Sequence, residues 1–404
     1  MFDFYKRRPQ LDAIYDAFEA TLVKNIPADR ALQFVMKKNR SWMERDRAWV
    51  ADVFYDMIRR WRLLATAAGT GDRIDKTIFW QLFGTWLLYK HYNLPAEGVF
   101  ERVNVKRIED KLEQYKKIRA IWHSIPDWLD RRGEKETGEN WTAILEASNK
   151  PAPLFIRVNT LRVTKPDLYL RMRDEGFMAE DTPDGWDALL MKGGNVFRSK
   201  AFKEGLFEVQ DLSSQLVAPF VEAEPGMRVI DACAGAGGKT MHLATFMKNK
   251  GRLLALDVSE SKLEELRIRA KRAGAGIVEA KHIDSGKVIK RLAATADRLL
   301  IDAPCSGTGV LRRNPDIRWR LEEEDIVHLQ QQQDDLLERY SAMVKPGGKM
   351  VYAVCSVFSS EGEERIRAFV QRHAEVWTLE EEKRAGLIQH AGDGFYMARL
   401  CRAK

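Results

Sequence analysis

The sequence predicts an α/β protein: a doubly wound, Rossmann-like sheet over residues 226–404, preceded by a small α+β subdomain at 151–225 and an all-α domain at 1–147. Three observations predict it. Apolar residues recur at three- and four-residue steps through the first third of the chain, a polar stretch with two prolines follows, and beyond Gly226 short apolar runs alternate with amphipathic segments. A period near 3.6 marks helices with one buried face, whereas strands alternating with helices make a parallel sheet covered on both sides.

In the first region Leu11, Ile14, Tyr15, Phe18 and Leu22, then Val50, Val53, Phe54, Met57, Ile58 and Trp61, keep the helical step. Breaks fall at Pro27, Gly69-Thr70-Gly71 and Pro95. Lys37-Lys38-Asn39-Arg40 and Arg59-Arg60-Trp61-Arg62 set cations beside polar and aromatic residues, which suits phosphate contact and stacking; solvated helix faces beside a buried Trp would read the same way. Ser148-Asn149-Lys150-Pro151-Ala152-Pro153 cannot continue a helix and reads as a linker. After it, Leu154–Asn159, Leu189–Met191 and Leu206–Gln210 read as short strands and Lys165–Glu175 as a helix.

The third region carries strand-like runs at Arg228-Val229-Ile230, Leu253–Leu256, Ile277-Val278, Arg298–Ile301 and Met350–Val354, with a further strand at Gly394–Leu400. Neither an internal repeat nor a low-complexity tract appears.

With 404 residues, 45% of them hydrophobic, the chain has apolar material for a core in each region. Its start, Met1-Phe2-Asp3-Phe4-Tyr5-Lys6-Arg7-Arg8, lacks the apolar stretch of a signal peptide, and no apolar run reaches the roughly 18 residues of a membrane span; a cytoplasmic location is expected. Cys233, Cys305, Cys355 and Cys401 contain no C-x-x-C pair, so neither a zinc site nor a disulfide framework is expected. The net charge of +7 is compatible with a polyanionic partner, and residues 1–150 carry 27 Lys+Arg against 22 Asp+Glu, hence +5 of it. The absence of an obvious coiled coil points to a monomer.

Chemistry concentrates at the ends of the predicted strands. The first runs into Asp231-Ala232-Cys233-Ala234-Gly235-Ala236-Gly237-Gly238-Lys239-Thr240, whose glycines let backbone approach a ligand at the carboxyl edge of the sheet. Dinucleotide enzymes use similar turns, so the loop alone is weak. The next strands end at Asp257, Asp284 and Asp302. Each Asp on its own could simply cap the following helix, but three in succession at one edge suit a ligand rich in hydroxyls. The fourth strand continues as Asp302-Ala303-Pro304-Cys305-Ser306-Gly307-Thr308-Gly309 and the fifth ends Val354-Cys355-Ser356. Two thiols therefore emerge at the edge where the ligand would lie.

At these residues, together with Arg157-Val158-Asn159-Thr160-Leu161, Val209-Gln210-Asp211 and the stretch Asp302–Trp319, nearly the whole chain resembles the Sun-type, or RsmB-like, RNA cytosine-5 methyltransferases. Pro27–Leu32 and Arg45–Ala48 resemble the NusB-like RNA-binding domain of the bacterial ribosomal RNA members. Departures are Gly235-Ala236 where many members have Ala-Pro, Val354 where Thr is common, and no Asn within Ser359–Glu364.

The resemblance implies S-adenosylmethionine as cofactor, held by Cys233, Ala234, Gly235, Ala236, Gly237, Gly238 and Lys239, by Asp257 at the ribose, Asp284 on the adenine side and Asp302 near the methyl group. It implies RNA, 16S ribosomal RNA first, as substrate and partner, with no metal and no membrane. Cys355 would add to C6 of cytosine, Asp302 would support protonation at N3, and Cys305 would assist release. DNA cytosine methyltransferases place the nucleophile in a Pro-Cys motif after the fourth strand, so Cys305 is the rival nucleophile. Arg157, Asn159, Arg312, Arg313 and Arg318 are the expected RNA contacts; a solvated loop is the alternative for the last three. A transfer RNA or DNA substrate, or a ribosome-assembly module without catalysis, are the competing functions.

Overall fold

The computed structural model describes residues 4–95, 98–182, 187–388 and 391–404, so the start of the charged N-terminal segment, Met1 to Asp3, lies outside the described residues. Two compact units emerge: residues 1–151 with 310–323, and residues 152–309 with 324–404. The second unit therefore holds both the small subdomain and the large sheet, and the stretch 310–323, expected beside the sheet, belongs to the helical unit.

In the helical unit the longest helices are Phe4–Leu22, Ala28–Lys38, Glu44–Ala68 and Lys76–Tyr89. Local chemistry sets their ends. Pro27 stands at the N-cap of the second, Asp75 accepts the amide of Ile78 at 2.9 Å to start the fourth, and Gly69 at φ 74° ends the third in the left-handed region. The stripes that keep the helical step, with Leu11, Ile14, Phe18, Val50, Phe54 and Met57, are buried together with Phe79 and Phe83.

The second unit contains two sheets. The smaller one is antiparallel in the order β2-β3-β1-β4, with β1 Leu154–Val158, β2 Ala179–Asp181, β3 Ala188–Met191 and β4 Phe207–Val209. The larger has seven strands: β5 Arg228–Asp231, β6 Arg252–Asp257, β7 Val278–His282, β8 Ala296–Asp302, β9 Val344–Val354, β10 Trp377–Ala385 and β11 Phe395–Arg402. Its order is β10-β11-β9-β8-β5-β6-β7, parallel from β9 through β7, with β10 and β11 antiparallel.

Two strands were not anticipated. β2 reads Ala-Glu-Asp and β10 contains Glu380-Glu381-Glu382-Lys383-Arg384; both are edge strands with mostly exposed charged side chains, so no apolar run announces them. β9 also starts earlier than its apolar run, because Lys345-Pro346-Gly347-Gly348 reads as a turn yet is part of the strand.

The strand order positions the site. From β5 the chain winds outward through β6 and β7, then returns to β8 on the other side of β5. The carboxyl ends of β5 and β8 thus flank the switch point at which doubly wound sheets form their ligand crevice. Among the described residues, no helix is long and apolar enough to cross a membrane and no cluster of His, Cys, Asp and Glu could hold a metal ion.

Candidate active site at the carboxyl edge of the large sheet

The loop after β5 turns through Gly235 (φ 53°) and Gly237 (φ 86°) into the helix Gly238–Phe246. At Gly237 a Cβ would also meet Leu266 Cγ at 2.7 Å, so this turn admits only glycine. Gly235 and Gly238 face open space where a Cβ would stand, which leaves their backbone approachable. Asp257, at the end of β6, accepts the amides of Gly235 and Ser259, each at 2.8 Å, and so ties the loop to the second strand. Asp284 lies two residues beyond β7, exposed, with Ser285 Oγ donating to it at 2.9 Å.

Across the switch point, Lys239 Nζ donates to Asp302 Oδ2 at 2.7 Å and lies 5.1 Å from the Phe395 ring centroid. Burial works against the Lys239 charge, but Asp302, with Cys355 and Asp231 nearby, outweighs it and holds the ammonium above its ordinary value. Asp231 is buried at the end of β5 and accepts Thr240 Oγ1 at 2.7 Å; burial pushes its carboxyl up to about 7 despite that hydrogen bond. Burial also pushes the Cys233 thiol well up, helped by Asp231, Asp302 and Asp257.

β8 and β9 are parallel neighbours with Asp302 opposite Ala353, so the chain reaches Cys305 and Cys355 within three residues of one register position. Their Sγ atoms are 3.3 Å apart. Gly309 fits beside them only for lack of a side chain: its amide donates to the Cys355 carbonyl at 3.0 Å, and a Cβ would meet the Gly394 oxygen at 2.0 Å. The Cys305 thiol is pushed well up, first by its hydrogen bond with Cys355, then by burial, then by the charges of Cys355 and Glu361. The four cysteines are all free.

The expected RNA contacts require correction. Arg157 is 1% exposed, and its Nη1 donates to the Gln210 side chain and, at 2.8 Å, to the Gly238 carbonyl; burial lowers it to about 9. Asn159 is also buried and donates to the carbonyls of Gly205 and Ala273, both at 2.8 Å. These two residues hold the small sheet against the start of the helix Gly238–Phe246 and the end of the helix Glu260–Ala273, and neither is turned to an external phosphate. Arg318 is fully buried in the helical unit, where Nη1 donates to the carbonyls of Arg59, His123 and Ser124 and to Asn149 Oδ1. Arg312 is buried as well, its carbonyl receiving Arg59 Nη2 at 3.0 Å, while Arg313 is partly exposed.

What sequence reasoning missed is a buried polar cluster beneath the thiols, comprising Ser306, Thr308, Gln333, Ser356 and Glu361. The serines directly after each cysteine were its visible signal.

Two known families match stretches of the chain. A family model described as 16S rRNA methyltransferase RsmB/F matches residues 218–401, and a second, the ferredoxin-like domain of RsmF/B-like methyltransferases, matches 125–196. Residues 218–401 belong to the RsmB/F methyltransferase family. A ribosomal RNA small subunit methyltransferase B of Serratia proteamaculans (strain 568) is 34% identical over 286 residues, covering 69% of this chain and 66% of that protein. The chain thus spans 66% of the length of the curated relatives it matches. The crystal structure of PH0851 superposes with a TM-score of 0.81 at 26% identity, covering 98% of both chains. A methyltransferase homologue from Pyrococcus horikoshii gives 0.62 at 28% identity, over 71% of this chain and 98% of that one. S-adenosylmethionine is the cofactor of this methyltransferase fold, and the RsmB/F-type loop after β5, with its open glycine backbone and Asp257 beside it, fits such a ligand.

Proposed function

We propose that this chain transfers a methyl group from S-adenosylmethionine to carbon 5 of cytosine in RNA, most specifically 16S ribosomal RNA, with Cys355 as nucleophile. The observation that carries this reading is the pair of thiols 3.3 Å apart, adjoining the Lys239–Asp302 ion pair at the carboxyl edge of the sheet. The family description and the names of the relatives support the ribosomal substrate.

When bound, the cofactor supplies an electrophilic methyl group on its sulfonium centre. The chain's task is to make C5 nucleophilic, since the cytosine ring is electron-poor. The Cys355 thiolate adds to C6, the C5–C6 π electrons become available at C5, and Asp302 supports a proton at N3. Lys239 keeps a positive charge beside Asp302 and near the Cys355 sulfur. After C5 has been methylated its remaining proton must leave. Cys305, its Sγ 3.3 Å from that of Cys355, is the group proposed for that step, having first given up its own proton to water. The Cys305 thiolate then takes the C5 proton, the C5–C6 double bond re-forms, and Cys355 leaves as thiolate.

Labelled methyl transfer to 16S ribosomal RNA, transfer RNA and DNA, with the modified base mapped, tests the reading. Label is expected at cytosine C5 of the ribosomal RNA, absent with Cys355→Ala although cofactor binding stays near wild type. Cys305→Ala is expected to accumulate a covalent protein–RNA adduct on denaturing gels. Turnover by Cys355→Ala, or an adduct with Cys355→Ala in place of Cys305→Ala, would move the nucleophile to the loop after β8.

A further inference from the structure

We infer that Glu361 is the positioning residue of the thiol pair: its carboxylate ties the loop after β8 to the loop after β9 and so fixes the separation and surroundings of Cys305 and Cys355. This rests on the thiol chemistry proposed above.

Glu361 lies in the short 3-10 turn Ser359–Glu361 and is fully buried. Its Oε1 accepts the amide of Ser306 at 2.8 Å and Gln333 Nε2 at 3.2 Å; its Oε2 accepts Ser356 Oγ at 2.6 Å and also Ser306 Oγ. Ser306 follows Cys305 and Ser356 follows Cys355, so the residue next to each thiol is bonded to one carboxylate. Gln333 extends the grip, since the same Nε2 donates to the carbonyl of Pro304 at 2.9 Å, on the other side of Cys305. Thr308 Oγ1 completes the cluster, 3.0 Å from Ser356 Oγ and 3.1 Å from Ser306 Oγ. Glu361 is itself anchored through its own carbonyl, which accepts Tyr352 Oη from β9 at 2.7 Å.

All these partners are neutral, and among the described residues no lysine, arginine or histidine forms an ion pair with Glu361. A buried carboxylate without a cation is costly, and a neutral amide of the same shape could join the loops more cheaply. The charge therefore serves something beyond joining them. It acts on Cys305, whose thiol the Glu361 charge helps to push up, after the hydrogen bond with Cys355, burial and the charge of Cys355. In the proposed mechanism the two thiols have different tasks, and the carboxylate that joins their loops sets the surroundings of both.

The test compares the full-length wild type with Glu361→Gln, which keeps shape and most hydrogen bonds but loses the charge, and Glu361→Asp, which keeps the charge on a shorter arm. Three quantities are read: melting temperature, kcat and KM for methylation, and the pH dependence of iodoacetamide alkylation at each cysteine, resolved by mass spectrometry. Glu361→Gln is expected to melt close to wild type with KM little changed, to lose at least about tenfold in kcat, and to shift the Cys305 alkylation profile toward lower pH while the Cys355 profile moves less. Glu361→Asp should recover part of the kcat. A Gln variant with wild-type kcat and an unmoved Cys305 profile overturns the inference, as does an activity loss matched by a fall in melting temperature with both thiols exposed equally. Alkylation needs no RNA, so if the wild type itself fails to methylate cytosine the proposed function fails while the Cys305 profile still decides the role of Glu361.

Discussion

Asp231 shows how a single buried group at the sheet edge makes stability depend on pH. It is 1% exposed, forms no ion pair among the described residues, and titrates near 7 instead of near 4. A carboxyl raised in the folded state favours folding while protonated; that advantage is complete below about pH 4 and is lost as pH rises toward about 7. Asp231→Asn keeps an acceptor for Thr240 Oγ1 and removes the penalty. Its stability gain over wild type should grow between about pH 4 and 7 and level off above, at up to about 4 kcal/mol, as denaturant titrations at several pH values would show. A gain that is flat across this range would mean that Asp231 is not the titrating group. At this scale the positions of the two thiols and of Asp257 and Asp302 at the sheet edge were legible from residue type and spacing, whereas Asp284 lies two residues past its strand. Glu361 was not, since a Glu in a run of Ser and Glu looks like solvated surface, and only the fold shows it turned inward. The arginines failed for the opposite reason: a sequence displays a charge but not the direction of its side chain, and Arg157 and Arg318 point into the protein.

Among the elements, those with apolar runs were legible and those built from charges were not, as β2 and β10 illustrate. The stretch 310–323 is the more instructive case, because Arg312-Arg313-Asn314-Pro315-Asp316-Ile317-Arg318-Trp319-Arg320 looks like a phosphate grip yet belongs to the helical unit. Asp316 Oδ2 accepts the amide of Ala28 at 3.2 Å, at the start of the second helix, and Trp319 Nε1 donates to the Ile58 carbonyl at 2.8 Å. Trp319 packs edge-on to Trp61 with centroids 5.0 Å apart. Arg318 is the centre of this arrangement, a fully buried cation donating to three carbonyls and an amide oxygen of the helical unit. Arg318→Ala should therefore destabilise the helical unit by about 3 kcal/mol or more, seen as a lower midpoint in thermal unfolding. A variant with wild-type melting and weakened RNA binding would restore Arg318 to the interface.

For the molecule as a whole, the order of regions was legible because each has its own hydrophobic period, whereas the grouping into two units was not, since it depends on the packing of 152–309 with 324–404 and of 310–323 with the helices. Charge at this scale leads to a last prediction. Of the chain's +7, residues 1–150 carry +5, but the two basic clusters seen there differ in fate. Arg59 is buried, and Arg62 is bonded to the Ile125 carbonyl and paired with Asp127 at 2.7 Å, so both are engaged inside the unit. Lys37, Lys38, Arg40 and Arg45 are exposed at the end of the helix Ala28–Lys38 and the start of the helix Glu44–Ala68. If RNA is the partner, these exposed cations are the ones able to displace counterions from phosphates. Affinity should then fall linearly in logarithmic terms with salt, and each cation removed from a phosphate should flatten the slope by about 0.7 on single-stranded RNA and about 0.9 on a duplex. The triple variant Lys37→Ala, Lys38→Ala, Arg40→Ala should bind more weakly at low salt and show the flatter slope, with its melting temperature unchanged because none of the three is buried. Arg59→Ala should behave conversely, melting earlier while keeping the slope of whatever remains folded. Equilibrium binding at several salt concentrations separates the two, and an identical slope for the triple variant and wild type would remove this cluster from the RNA interface.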